Sequence, residues 1–164
     1  MADLTLVEAV NDALHTELGR DPNVMVMGED VGRAGGVFRA TAGLRDRFGA
    51  ERCVDTPLAE AGILGTAVGL CMAGWRPVCE MQYDAFSYPC LDQLINHVGR
   101  YRWRTGGTME FPLVVRMPYG GGVRAPELHE QVGAPRMSRG LLGQRRDATV
   151  DRLVLSGGRE REAT

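Results

Sequence analysis

Hydrophobic and polar positions follow two alternating periods along most of the chain. The segment "TLVEAVNDALHTELG" has apolar residues at helical intervals, with Thr5 and Glu8 in capping-box spacing at its start and Gly19 at its end. Four short apolar runs are typical of buried strands: "NVMVMGED", "RCVD", "RPVCEMQ" and "FPLVVRM". Helical patterns separate these runs: "AGLRDRFG", "TPLAEAGILGTAVGLCMAG" with Pro57 in its first turn, and "YPCLDQLINHVGRYR". The alternation predicts an α/β fold in which helices cover both faces of a parallel sheet.

Ligands of such sheets bind beyond the carboxyl ends of the strands. The segments that follow the predicted strands are residues 29–30, 56–60, 82–86 and the glycine-rich loop 118–129. We therefore expect these four segments to line one edge of the sheet. In the helix after the second strand, Gly62, Gly65 and Gly69 lie on neighbouring turns, which predicts that another backbone packs closely against that face.

One carboxylate, Glu60, stands at the head of this otherwise uncharged helix. Two interpretations are open on the pattern alone. Glu60 is either an ordinary first-turn acid favoured by the helix dipole, or a carboxyl group kept in a dry place for proton chemistry.

Composition narrows the classes of function. The formal charge is −2 and all 19 basic residues are arginine, so the chain has neither a basic face for nucleic acid nor the lysine of a Schiff base or a Walker A loop. The four cysteines have no CxxC spacing, which disfavours a zinc or redox motif and favours reduced, buried thiols in a cytoplasmic protein. The N-terminus lacks the basic region of a signal peptide, and no uncharged run has the length of a membrane span.

Three stretches carry a resemblance to a known family. "VMGEDVGRAGGVFRATAGLRDRFGAERCVDTPLAEAGILGTAVGL", "PVCEMQYDAFSYPCLDQLINHVGRYRWRTGG" and "PLVVRMPYGGGVRAPELH" occur in that order. Over about residues 4–129 the chain resembles the β subunits of 2-oxo acid dehydrogenase E1 components, which act on pyruvate or branched-chain 2-oxo acids. The resemblance implies a transketolase-like pyrimidine-binding domain over residues 1–129, incomplete at its C-terminal end, with the thiamine-diphosphate-binding fold.

The same resemblance implies an activity and its partners. The family decarboxylates a 2-oxo acid oxidatively and transfers the acyl group to the lipoyl group of the E2 component. The β subunit is active only with an α subunit, in an α2β2 heterotetramer, and the α subunit holds the diphosphate and Mg2+. This chain has no GDG-type diphosphate motif, in agreement with that division. The substrate stays open between pyruvate and a branched-chain acid, because much of that pocket belongs to the α subunit.

Individual residues match the family's functional positions. Glu60 matches the catalytic glutamate, which hydrogen-bonds N1′ of the aminopyrimidine and favours its 4′-imino tautomer. Leu58, Gln82 and Phe86 match contacts to the aminopyrimidine ring, although plain core packing is an equal alternative for Phe86. His129 matches an active-site histidine that assists substrate binding or acyl transfer.

Other positions match the family with more local roles. Glu29 matches a residue near the cofactor tunnel, and for Asp30 we favour a loop-capping role. Some family members bind a structural K+ through carbonyls of the segment that matches Phe111, Leu113 and Val114. His15 and His97 lie within predicted helices and are interpreted as structural.

Two alternatives to this interpretation are disfavoured. The segment "GGGVRA" satisfies a dinucleotide-binding fingerprint, but prolines bracket it and no acidic residue follows a second strand, so NAD binding is disfavoured. A transketolase-type enzyme is disfavoured because such enzymes usually join both cofactor domains in one chain.

Residues 130–164 hold 7 of the 19 arginines, follow no family pattern and are predicted to be poorly ordered, with only "RLVLS" strand-like.

The family's C-terminal transketolase domain has no counterpart in this sequence. We expect a frameshift or truncation near residue 130. The alternative function is then a non-catalytic fragment that only binds a partner chain.

Overall fold

A computed structural model describes residues 4–119 and the strand at 153–157. Its sheet has five strands in the order β2-β1-β3-β4-β5, and each neighbouring pair is parallel. The strands are β1 (Val24–Gly28), β2 (Cys53–Asp55), β3 (Arg76–Glu80), β4 (Val114–Tyr119) and β5 (Leu153–Gly157). The predicted α/β class and parallel sheet are confirmed. The strand-like segment "RLVLS" coincides with most of β5, and the rest of the tail lies outside the described residues.

The helices begin with α1 (Leu6–Arg20), whose predicted capping box is present. The Glu8 amide donates to Thr5 Oγ1 at 3.3 Å, and the Thr5 amide donates to Glu8 Oε2 at 2.8 Å. The helices that follow are α2 (Leu44–Phe48) and α3 (Glu60–Met72). Among the described residues, no helix combines the length and apolar character that crossing a bilayer requires.

The helix predicted after β3, "YPCLDQLINHVGRYR", is irregular. It consists of a 3₁₀ stretch (Asp84–Cys90), a π-helical stretch (Gln93–Val98) and α4 (Gly99–Arg104). Pro89 lies in the first of these stretches. Because proline has no amide hydrogen to donate, it disfavours a continuous α-helix at this position.

Two predictions for α3 were wrong. The helix begins at Glu60 with Ala59 as its N-cap, so Pro57 precedes the first turn. A Cβ atom built on Gly65 or Gly69 would have no neighbour within 4 Å. The close backbone expected against this glycine face is therefore not found among the described residues.

Strand alternation divides the core into two layers. Met25, Met27, Cys79 and Met81 point to the face covered by α3 and the irregular helical segment, together with Val115 and Met117. Val24, Val26 and Val78 point to the opposite face, where they pack with Leu14 and Leu18 of α1 and Leu44 of α2. With both faces covered, the open edge at the strands' carboxyl ends is left for polar side chains.

Candidate functional site

The carboxyl ends of β1, β2 and β3 meet at one edge of the sheet, as predicted. The Thr56 amide, just past β2, donates to the Gly28 carbonyl at the end of β1 at 2.9 Å. Gln82 Nε2, just past β3, donates to Asp30 Oδ2 at 3.2 Å. Three of the four predicted segments are thus in one place. The fourth, residues 118–129, lies almost entirely outside the described residues.

Glu29 is a buried carboxyl group at this edge. Its side chain is 6% exposed, and neither carboxyl oxygen has a hydrogen-bond partner among the described residues. Burial raises the pKa of Glu29, and the nearby charges of Glu60 and Asp30 raise that pKa further. A carboxyl group in this setting holds a proton more readily than an ordinary surface carboxyl group does.

Glu60 lies in the first turn of α3, close enough for its charge to act on Glu29, and it is half-buried. Its charge acts on Glu29 and also on Cys90 in the 3₁₀ stretch. Burial raises the pKa of the Cys90 thiol to about 11, and Glu60 contributes a smaller part of that rise. Glu60 therefore lies between the end of β1 and the segment that contains Phe86.

The same edge has a further polar group without a partner. The Thr56 hydroxyl is buried and forms no hydrogen bond with any described residue. Buried polar groups in folded proteins are nearly always hydrogen-bonded. The Thr56 hydroxyl and the two Glu29 oxygens are therefore the groups of this edge that a polar ligand would satisfy.

The loop after β1 is anchored across the sheet edge by Asp55. The Gly32 and Arg33 amides donate to the Asp55 carboxylate at 2.6 and 3.2 Å, and Arg45 donates to it at 2.8 Å. The Thr41 hydroxyl donates to the Val31 carbonyl at 2.8 Å inside the loop. These bonds hold the chain that follows Glu29 and Asp30 in a defined path.

The apolar residues expected to contact the cofactor ring lie at the rim of this edge. Leu58 is 79% exposed. Phe86 is half-buried, and its ring meets that of Tyr83 edge-to-face with centroids 5.9 Å apart. In the described part of the chain, neither core layer includes Phe86. The contact interpretation of Phe86 stays a prediction.

The other predicted residues that the structure describes lie away from this edge. His129 and the "GGGVRA" loop are outside the described residues. Leu113 is buried just before β4 and donates its amide to the Phe111 carbonyl at 2.8 Å, while Val114 opens β4. His15 contacts the Ala42 carbonyl at 3.4 Å, which fits a structural role.

One buried ion pair near this edge was not predicted. Glu80, the last residue of β3, accepts two hydrogen bonds from Arg116 of β4, and the side chains are 4% and 7% exposed. Burial raises the pKa of Glu80, while the hydrogen bonds and charge of Arg116 act in the opposite direction. The signals in the sequence are Glu80 within the run "RPVCEMQ", which also begins with Arg76, and Arg116 within the run "FPLVVRM".

Comparisons with known proteins identify the family and the fold of this chain. The profile of the family described as "Transketolase, pyrimidine binding domain" matches residues 2–137. The fold resembles a solved structure titled "Split gene transketolase, inactive beta4 tetramer", with a TM-score of 0.54 and 18% identity over 68% of this chain and 32% of that chain. At that identity the likeness concerns the fold alone.

Curated relatives are much more similar in sequence. The chain is 54% identical over 129 residues to the pyruvate dehydrogenase E1 component subunit beta of Staphylococcus epidermidis. It is 53% identical to the protein of the same name in Bacillus subtilis. It is also 53% identical over 126 residues to the 3-methyl-2-oxobutanoate dehydrogenase subunit beta of Mycobacterium tuberculosis. These matches cover 77–79% of this chain but only 36–40% of the relatives.

Proposed function

The chain belongs to the transketolase pyrimidine-binding domain family, and from that membership we propose that it forms the aminopyrimidine half of a thiamine diphosphate site in a 2-oxo acid dehydrogenase E1. The observation that carries the proposal is the meeting of Glu29 and Glu60 at the carboxyl edge of the sheet, with both Glu29 oxygens buried and unpartnered among the described residues. The carboxyl groups of Glu29 and Glu60 and the amide of Gln82 fit the aminopyrimidine, because its ring nitrogens and amino group need hydrogen-bond partners of these kinds.

Glu60 has the central role in this proposal. When bound, thiamine diphosphate supplies a carbon nucleophile for the 2-oxo group and takes up the electrons released with CO2. Glu60 would hold a proton at ring nitrogen N1′ and so favour the 4′-imino form. Burial and the charge of nearby Glu60 raise the pKa of Glu29, so Glu29 keeps a proton beside Glu60 more readily than an ordinary surface carboxyl group does.

Three other side chains would orient the ring. Gln82 offers an amide at the end of β3, and its orientation is fixed by the bond to Asp30. Leu58 and Phe86 offer an apolar side chain and an aromatic ring at the rim. Burial of the exposed Leu58 by the cofactor or a partner subunit would also exclude water from the N1′ proton.

The other half of the site is assigned to partners. We propose an E1 α subunit that holds the diphosphate and Mg2+, an α2β2 assembly, and a lipoyl-bearing E2 as acyl acceptor. His129 would act toward the substrate or the lipoyl group, and carbonyls of Phe111, Leu113 and Val114 would serve a structural K+.

The substrate is a short 2-oxo acid, because relatives named for pyruvate and for 3-methyl-2-oxobutanoate are nearly equally similar. Four buried, unbridged thiols favour a cytoplasmic location.

The test is decarboxylation of pyruvate and of 3-methyl-2-oxobutanoate by this chain co-expressed with its candidate α subunit. We expect turnover that requires thiamine diphosphate and Mg2+. Glu60→Gln should lower the turnover rate by about 10²–10⁴-fold, the range for losing a general acid–base group. The matched control is Glu51→Gln, an exposed glutamate before β2, which should retain full activity. Full activity of Glu60→Gln would contradict the proposal.

A further inference from the structure

Asp30 has an unusual backbone at the candidate site. Its φ is 58°, in the left-handed region, and Arg39 is the other described residue besides glycine with a positive φ. This conformation costs a non-glycine residue about 1–2 kcal/mol. The turn is closed by the Gly36 amide, which donates to the Asp30 carbonyl at 2.8 Å. Strained residues of this kind are common at functional sites, so the two neighbours of Asp30 are of interest.

The first neighbour is Gln82. Its Nε2 donates to Asp30 Oδ2 at 3.2 Å across 52 positions of sequence. A carboxamide is planar, with its donor and acceptor ends on opposite sides. The bond to Asp30 therefore fixes the direction of the Gln82 carbonyl oxygen as well as that of its amide nitrogen.

The second neighbour is Glu29, the preceding residue. The side chain of Glu29 is buried, whereas that of Asp30 is exposed, so the turn sends consecutive side chains to different environments. The charged groups that act on Glu29 are Glu60, from α3, and Asp30 itself. Asp30 thus interacts with two residues of the candidate site: it accepts a hydrogen bond from Gln82, and its charge acts on Glu29.

We propose that Asp30 is a positioning residue: its carboxylate holds Gln82 in the orientation for the aminopyrimidine, and its left-handed backbone keeps the preceding Glu29 buried at the sheet edge beside Glu60. The identity of the ligand, the aminopyrimidine, rests on the proposed function. The positions of Asp30, Gln82 and Glu29 do not. It goes beyond a loop-capping role, in which only the turn at Asp30 would matter.

Two substitutions separate the parts of this role. Asp30→Asn keeps an acceptor oxygen and a residue that tolerates the left-handed region, but removes the charge. Asp30→Gly keeps the turn without strain and removes the whole side chain. The matched control is Arg39→Gly, which relieves the same kind of strain in the same loop at φ 62°.

The first readout uses the full chain alone, with NMR titration of the Glu29 carboxyl carbon and hydrogen exchange of the Gln82 side-chain amide. Both Asp30 variants should lower the pKa of Glu29, because a nearby negative charge is removed. Only Asp30→Gly should speed exchange of the Gln82 amide. Arg39→Gly should change neither signal. Wild-type values for both signals in Asp30→Gly would overturn the proposal and leave Asp30 as a turn residue.

The second readout is the affinity of the chain with its α subunit for thiamine diphosphate. Asp30→Gly should weaken binding about 3–10-fold, the effect of losing one ordinary hydrogen bond, and Asp30→Asn should weaken it less. Unchanged affinity in Asp30→Gly would remove the cofactor from the proposal. Absence of binding by the wild-type complex would instead overturn the proposed function, while the NMR result would still decide whether Asp30 positions Glu29 and Gln82.

Discussion

The buried pair of Glu80 and Arg116 provides a sharp test of the energetics of this edge. The two residues are register partners on adjacent parallel strands, and their side chains are almost fully buried. Arg116 Nε donates to Glu80 Oε2 at 2.5 Å, and a second hydrogen bond joins Nη2 to Oε1. Removing one member would leave a buried charge without its counter-ion, which costs about 3–5 kcal/mol in measured cases.

We therefore expect Arg116→Met to lower the free energy of unfolding by about 3–5 kcal/mol. For a chain of this size that loss corresponds to a fall in melting temperature of roughly 6–20 °C. The double variant Glu80→Leu with Arg116→Met should recover most of the loss, because a buried ion pair and well-packed apolar residues of similar volume are often equally stable.

The assay is urea unfolding of the four chains of this double-mutant cycle, with the slope of stability against urea checked for constancy. The control is Arg45→Met, which breaks a pair with Asp55 whose side chains are 33% and 30% exposed and should cost less than about 1 kcal/mol. The reasoning is refuted if Arg116→Met costs no more than the control, or if the double variant loses the sum of both single effects.

Three further predictions concern stability. Glu29→Gln should stabilise the chain at neutral pH. Because the pKa of Glu29 is raised in the native state, the native state binds the proton more tightly than the unfolded state does. Wild-type stability therefore falls as the pH rises through that pKa, and the uncharged glutamine avoids this loss. Urea unfolding at several pH values would show this fall in the wild type but not in the variant; equal slopes would contradict it. Gly28→Ala should cost about 1–3 kcal/mol, since its Cβ would overlap the Glu80 carbonyl, whereas Gly19→Ala, with nothing within 4 Å, should gain about 0.5–1 kcal/mol. Thermal unfolding of both glycine variants tests this, and loss of stability in both would refute it. Thr5→Ala should cost about 1 kcal/mol by removing the α1 cap, and an unchanged melting temperature would exclude that role.

The sequence was sufficient to predict the edge where the site forms. Short apolar runs between helices require parallel strands, and parallel strands have their carboxyl ends at one edge. Glu29, Glu60 and Gln82 are close together for that reason. The first helix was also predictable, because its capping box is a local signal between Thr5 and Glu8.

Features that depend on strand order or on a single backbone angle could not be predicted in the same way. Pairing of Glu80 with Arg116 requires knowledge that β3 and β4 are neighbours and in which register they pair. The left-handed backbone of Asp30 has no sequence signal beyond the residue type. The burial of Glu29, deeper than that of Glu60, follows from the packing of the whole edge and has no signal in the sequence around Glu29.

The central claim is that Glu60 holds a proton at N1′ of the aminopyrimidine. The most direct measurement is the nitrogen NMR signal of N1′ in labelled thiamine diphosphate bound to this chain and its α subunit, for the wild type and for Glu60→Gln. The account predicts a chemical shift typical of a proton-sharing N1′ in the wild type, and a shift typical of an unprotonated ring nitrogen in the variant. The same N1′ shift in both proteins would contradict the account.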